Sequence, residues 1–266
     1  MIQNKIFVSS YIVAPMAKST LRKPMRRTVK TVVGVPCPPV NAIVEFEKVV
    51  VPKKRRSVAK LELAEGSGIF SIYIKRLLSY MDESSSITAE DRAFQCSANG
   101  LNILNGMCTD LCARLCAEAS KLAVHNGMKT ITPALAIAAI NVVLQGQLAA
   151  GAINAGKISD VSFDRINKLI NASEMSASRT AKAQLIFPVP RVETILKEHT
   201  KKRVSASSAI YIAAATQYIC SEVLDNTFKI VKAVDMKTIR PNHLKTAITN
   251  DMELSCLFKN TTVISG

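Results

Sequence analysis

The sequence predicts an all-α chain in which two copies of a short helix–long helix–short helix unit pair through their long helices, behind a basic N-terminal segment. Three observations predict it. Trp is absent and aromatic residues make up only 5% of the chain, so Ala, Ile, Leu and Val must fill the core, which suits tightly packed helices better than a β-sandwich. Apolar residues recur every three or four positions along two long stretches. Met-Lys-Thr-Ile-x-Pro stands at 128–133 and again at 236–241, an offset of 108. A match of that length between two similar helix patterns marks a duplicated unit.

Residues 1–56 form the basic segment. They hold 12 Lys or Arg against Glu45 and Glu47, out of a net charge of +15 for the whole chain. Pro15, Pro24, Pro36, Pro38, Pro39 and Pro52 interrupt any long helix, and Lys53-Lys54-Arg55-Arg56 close the segment, so it is expected to be largely disordered. A basic arm ahead of a nearly balanced body fits a partner that is a polyanion. The early apolar run Ile6–Ala14, with no acid before Glu45, imitates a targeting signal, but the basic arm continues without an amphipathic pattern.

The first unit opens with a short amphipathic helix over Ile69–Met81, carrying Ile69, Ile72, Tyr73, Leu77 and Tyr80, followed by a polar loop over Asp82–Ser86. A helix of about seven turns follows, on the stripe Leu101, Leu104, Cys108, Leu111, Leu115, Ala119 and Leu122, and stops near Asn126-Gly127. Met128–Ile131 reads as an extended link. Thr132 as N-cap and Pro133 as first helical residue open Pro133–Leu144. The second unit repeats the plan. Pro190–His199 is its short helix, Ser205 or Ser207 caps a long helix with Ile212, Ile219, Val223, Ile230 and Val234 on one stripe, and Pro241 opens the last helix with Leu244 and Ile248. A three-helix string of this kind cannot bury its own stripe, so the two units are expected to pair with each other. Residues 158–178 would join them, with a small helix built on Phe163, Ile166, Leu169 and Ile170.

Chemistry of other kinds finds little support. Seven cysteines lack the spacing of a disulfide framework, and no apolar run reaches the roughly 18 residues needed to span a bilayer. Gly151–Lys157 matches most of a phosphate-binding loop, but Ile158 stands where a magnesium-binding hydroxyl is required, and a helical pattern runs through it. Cys108, Cys112 and Cys116 fall on the apolar stripe and read as core filler rather than a metal site. His125, His199 and His243 have no nucleophile or ligand spacing, and Asn171-Ala172-Ser173 is a glycosylation sequon by pattern alone. No enzymatic activity, cofactor or metal is expected.

The two units resemble histone folds. Ser178-Arg179, the run Leu185–Val192, Arg203-Val204, Tyr211–Ala214, Arg240–Leu244 and Ala247–Asp251 follow histone 2A in order and spacing. Ser71–Ile74, Glu118–Ala123, Thr130–Thr132 and Leu144–Ala149 are similar to histone 2B. Histone 2B followed by 2A in one polypeptide resembles the histone doublets of large DNA viruses, notably the marseilleviruses. The resemblance implies an intramolecular handshake heterodimer: a tail over 1–56, a histone 2B-like fold over 57–157, a connector over 158–178, a histone 2A-like fold over 179–260 and a short tail over 261–266.

It also implies a function, DNA packaging without base reading. Its partners would be double-stranded DNA, a histone 4–histone 3 doublet or equivalent, and a second copy of the chain in an octamer-like particle, with no membrane. The site would be the virion and the viral factory in the host cytoplasm, or the host nucleus. The alternative is a histone-fold transcription or assembly factor. Carried over by position, the DNA-binding residues are Lys53, Lys54, Arg55, Arg56, Lys129, Thr130, Arg179, Lys182, Arg191, Arg203, Lys237, Thr238 and Arg240. Two customary arginine positions hold Thr238 and Met128, which implies a looser grip on DNA. Glu222, Asp225, Asp251 and Glu253 match an acidic patch that recruits partners, whereas Gln217, Met252, Gln147 and Ala155 stand where the patch has further acids. Histone 2A also carries a long docking tail. With the sequence ending at Gly266, residues 1–56 or the connector are the segments expected to substitute for it.

Overall fold

Each long helix is opened by a serine. In the computed structural model, which describes residues 68–84, 94–171 and 177–259, Ser97 Oγ accepts from the Gly100 N–H at 3.2 Å and Ser205 Oγ from the Ser208 N–H at 3.1 Å. Both serines are extended, as a residue satisfying an orphan first-turn amide should be. The first unit comprises α1 (Ser71–Ser84), β1 (Gln95–Cys96), α2 (Ala98–His125), β2 (Thr130–Ile131), α3 (Pro133–Val143) and α4 (Gly146–Asn171). The second comprises α5 (Arg179–Lys182), α6 (Val189–Thr200), β3 (Arg203–Val204), α7 (Ala206–Ala233), β4 (Thr238–Ile239), α8 (Pro241–Asn250) and α9 (Met252–Phe258).

The repeat seen in the sequence extends to individual hydrogen bonds. α2 and α7 start at 98 and 206 and end at 125 and 233, the same offset of 108 at both ends. Beyond them Gly127 and Asp235, again 108 apart, both take the left-handed conformation (φ +62° and +53°). That turn lets Met128 N–H donate to the Ala123 carbonyl at 2.9 Å and Met236 N–H to the Val231 carbonyl at 3.0 Å. The duplication is therefore structural as well as textual.

The links then cross between units. β2 pairs parallel with β3 in the register Thr130↔Arg203 and Ile131↔Val204, and β1 pairs parallel with β4 in the register Gln95↔Thr238 and Cys96↔Ile239. Because each link joins the strand that precedes the other long helix, α2 and α7 run in opposite directions across each other. Their stripes meet in one core, with Leu104, Leu111, Leu115, Ile212, Ile219 and Val223 all buried. The two units thus pair as an all-α handshake. Ser205 rather than Ser207 is the cap, and Thr132 occupies the N-cap of α3 without a side-chain bond.

Four sequence expectations need correction. Ile72, read onto the apolar face of α1, is 61% exposed. Val234 is 57% exposed, and Phe228 and Val231 take its place in the core, because the stripe turns with the helix by 3.6 residues rather than by a fixed four. α1 continues to Ser84, into the segment read as a polar loop. The small connector helix expected around Phe163 is the second half of α4, a continuous helix of 26 residues. α4 lies along α7, and its glycines explain the phosphate-loop mimicry. A Cβ on Gly151 would overlap the Tyr218 hydroxyl, and one on Gly156 would overlap the Tyr211 ring. The segments 1–56, with Lys53, Lys54, Arg55 and Arg56, and 261–266 lie outside the described residues, as do Ala172 and Ser173 of the sequon.

Candidate nucleic-acid interface

The crossed strand pairs collect the sequence-predicted cations at two places. At the β2–β3 pair, exposed Lys129 and half-buried Thr130 of one unit meet exposed Arg203 of the other. Lys201 closes α6 in the left-handed conformation (φ +49°), and Lys202 Nζ donates to the Met128 carbonyl at 2.9 Å, which ties the two units' loops together. At the β1–β4 pair, Thr238 and Arg240 are exposed beside Lys237, and the Arg240 N–H donates to His243 Nδ1 at 3.3 Å. Each place lies at helix N-termini, where backbone amides and the helix dipole favour anions.

The two places are unequal. With the offset of 108, Lys202 and Arg203 correspond to Phe94 and Gln95. Phe94 packs on Phe228 with ring centroids 4.8 Å apart, and the Lys232 ammonium sits 5.7 Å above the Phe94 ring. One pair therefore presents a run of cations from the strands of both units, whereas at the other the described first-unit residues Phe94 to Cys96 carry no cation.

A third cluster joins the N-terminal ends of α1 and α6. Phe70 and Phe187 stack at 5.0 Å. Arg191 donates through Nη1 to the Ile69 carbonyl at 2.9 Å and lies 5.7 Å from the Tyr73 ring centroid, with Arg76 5.6 Å from the same ring. The electron-rich ring attracts both guanidinium groups and holds two like charges close together. Arg191 is among the positions that the resemblance carries over, whereas Arg76 and Tyr73 are not. Their three-residue spacing on a helix is a usable signal only once Arg191 is known to approach from the other unit.

Two further predicted cations have intramolecular partners. Arg179 forms an ion pair with Glu193, which also takes Lys197 at 2.6 Å, and Lys182 Nζ donates to Asn167 Oδ1 at 2.8 Å. The four predicted acids divide likewise. Glu253 accepts the Gln147 N–H at 3.1 Å and the Leu148 N–H at 2.9 Å, while Asp251 caps α9 by accepting from the Leu254 N–H at 3.0 Å. Gln217, at another patch position, accepts from the Ile186 and Phe187 N–H groups at 2.8 and 2.9 Å. Glu222 and Asp225 remain together on α7. Partial burial and then the Glu222 charge hold the Asp225 carboxyl above its ordinary pKa, with Lys229 and Lys232 pulling the other way.

Among the described residues no group of three or more His, Cys, Asp or Glu side chains converges as a metal site. Cys108, Cys112 and Cys116 are buried in the helix crossing, beside Cys220.

The model of the family described as histone-like transcription factor (CBF/NF-Y) and archaeal histone matches residues 185–248. The chain is 40% identical over 101 residues to the Z variant of histone 2A from Scheffersomyces stipitis, which covers 37% of this chain and 76% of that protein. It is 36% identical over 100 residues to a macro-type histone 2A from Capsaspora owczarzaki, again 37% of this chain but only 27% of the length of that relative. Among solved structures, the histone from Methanopyrus kandleri matches with 11% identity and a TM-score of 0.41, over 68% of this chain and 94% of that one.

Proposed function

Because this chain belongs to the histone family, we propose that it is a structural, non-enzymatic protein that packages double-stranded DNA without reading bases. The observation that carries the reading is the register Thr130↔Arg203 and Gln95↔Thr238, which sets Lys129 and Arg203 at one crossing and Lys237 and Arg240 at the other. Cations and helix N-termini at separated points suit successive phosphates of a bent duplex, a mode of binding that needs no contact with base edges.

We take the first unit as histone 2B-like and the chain as a fused histone 2B–2A pair of the viral doublet type, acting with a histone 4–histone 3 doublet and with a second copy of itself to compact a viral genome. Virion, viral factory or host nucleus would be its place. The fused order of the two units supports this reading. So do Val124 at the end of α2 and Val142 on α3, 65% and 55% exposed, which offer an apolar surface to another histone pair. Reconstitution with a histone 3–histone 4 partner on long DNA followed by nuclease digestion tests it. Protection of a nucleosome-sized fragment is expected, and protection of a short site alone overturns it.

A second reading, a histone-fold transcription factor, is favoured by the description of the matching family. Affinities for several unrelated duplexes of equal length separate the two. Packaging requires them to be similar at a given salt concentration, whereas a factor must prefer one sequence by orders of magnitude.

A further inference from the structure

The second half of α4 carries a face that neither the pairing of the units nor the DNA reading uses. The inner side of α4, with Ala149, Ala152 and Gly156 of its first half buried or at close approach, lies on α7. Its outer side exposes Lys157, Ile158, Val161, Arg165 and Lys168, whose spacing of three and four residues places them on one face. Val161 is 68% exposed and Ile158 37%. Val161, Asp164, Arg165, Lys168 and Leu169 line a shallow hollow of about 560 Å³. Lys157, Arg165 and Lys168 are exposed there, and of the acids on this face Asp164 is exposed with them.

A purely solvated face would gain nothing from a valine at its centre. Duplex DNA would gain from the cations but not from Val161, since phosphates are served by charge and hydrogen bonds alone. A partner that gains from both must be apolar at its centre and acidic around it. The start of the same helix adds nothing for a basic partner. Glu253 is committed to the α4 amides there, and Gln147 is neutral.

We propose that the outer face of α4, centred on Val161 and ringed by Lys157, Arg165 and Lys168, docks an acidic amphipathic segment of a partner protein. Apolar side chains of that segment cover Val161 and Ile158, and its carboxylates meet the three cations.

The test uses the full chain and a fluorescent synthetic peptide of Glu and Leu at helical spacing, followed by anisotropy. Control peptides carry Ser for Leu, or Lys for Glu. The basic N-terminal segment attracts any polyanion, so the decisive variant is Val161→Ser, which changes no charge. Val161→Ser is expected to weaken the Glu/Leu peptide about tenfold, and Arg165→Gln with Lys168→Gln by a similar factor, with the melting temperature and duplex-DNA affinity unchanged by Val161→Ser. If Val161→Ser has no effect, or the Glu/Ser peptide binds equally well, the attraction is charge alone and the proposal is wrong. Self-association in sedimentation that Val161→Ser abolishes would also overturn it, by assigning the face to a second copy of the chain. Because these readouts use peptide rather than DNA, failure here leaves the packaging reading standing.

Discussion

Glu253 on α9 caps α4: its two carboxylate oxygens accept the backbone N–H groups of Gln147 and Leu148. Glu253 stands at an acidic-patch position in the resemblance, but its charge is directed at the amides of a helix about a hundred residues earlier. Gly146, the first residue of that helix, is left-handed (φ +58°), and a Cβ there would collide with the Glu253 carboxylate. Glu253→Ala is expected to lower stability by about 1–2 kcal/mol in chemical denaturation, with Glu253→Gln losing less because its amide oxygen still accepts. Binding of a lysine-rich peptide should respond to Glu222→Gln or Asp225→Asn and not to Glu253→Gln.

The unequal crossings predict unequal DNA contacts. Arg203→Gln converts the β2–β3 pair to the chemistry of Gln95 and should lower the salt dependence of DNA binding by about one released ion. Gln95→Arg should raise it by a similar amount. Equal, null effects at both positions would show that the strand pairs do not touch phosphate. Fluorescence titration across a salt series measures both.

Thr238 and Lys129 sit in equivalent links, exposed, where arginine would insert its planar, weakly hydrated group into a narrow groove more readily than lysine or threonine. The double variant Lys129→Arg, Thr238→Arg is expected to hold DNA to higher salt than the wild type. No gain in the salt concentration of release would refute the looser-grip reading.

Much of this architecture is legible in the sequence because the signals are local. Ser205 is a good cap, Gly127 is a natural left-handed stop, and Pro133 and Pro241 both begin helices. The repeated link reveals the pairing because a second copy supplies the missing half of the core. What the sequence hides is non-local. The Arg191–Ile69 bond spans 122 positions, and the Glu253–Gln147 bond spans 106. The run of α4 past Lys157 is obscured for a different reason. Its outer face mixes charges with Val161, so the apolar period that marks a buried helix fades although the helix persists.

Gly156 is where the packing of α4 on α7 can be tested most directly. Its missing side chain admits the Tyr211 ring, itself buried in the core. Gly156→Ala favours the helix intrinsically by about 1 kcal/mol, yet the overlap with Tyr211 should outweigh this and give a net loss of about 1–3 kcal/mol. Tyr211→Leu in the same chain should recover part of it. Were the glycines serving a phosphate ligand, Gly156→Ala would leave melting unchanged and Tyr211→Leu would rescue nothing.

The thiols give a pH-dependent prediction. Burial first, and then Cys220, push the Cys96 thiol up from its ordinary 9.0 to about 11, with Lys75 acting in the opposite sense. Cys108 is held well up by its hydrogen bond with Cys220 and by burial, and Cys116 by its hydrogen bond with Cys112 and by burial. A thiol that ionises later in the folded than in the unfolded chain leaves stability intact below pH 9. As pH rises from about 9 towards 11, the unfolded chain loses its proton first, so stability falls. Denaturation curves at intervals across that window should show the decline, and Cys96→Ala should make it shallower, with the buried Cys108 and Cys116 thiols keeping the rest. The same burial orders alkylation at pH 8. Exposed Cys256 should react in the native protein, and buried Cys108, Cys112, Cys116 and Cys220 only after unfolding. Peptide mapping that finds Cys116 modified as fast as Cys256 would mean that the α2–α7 crossing opens in the native state.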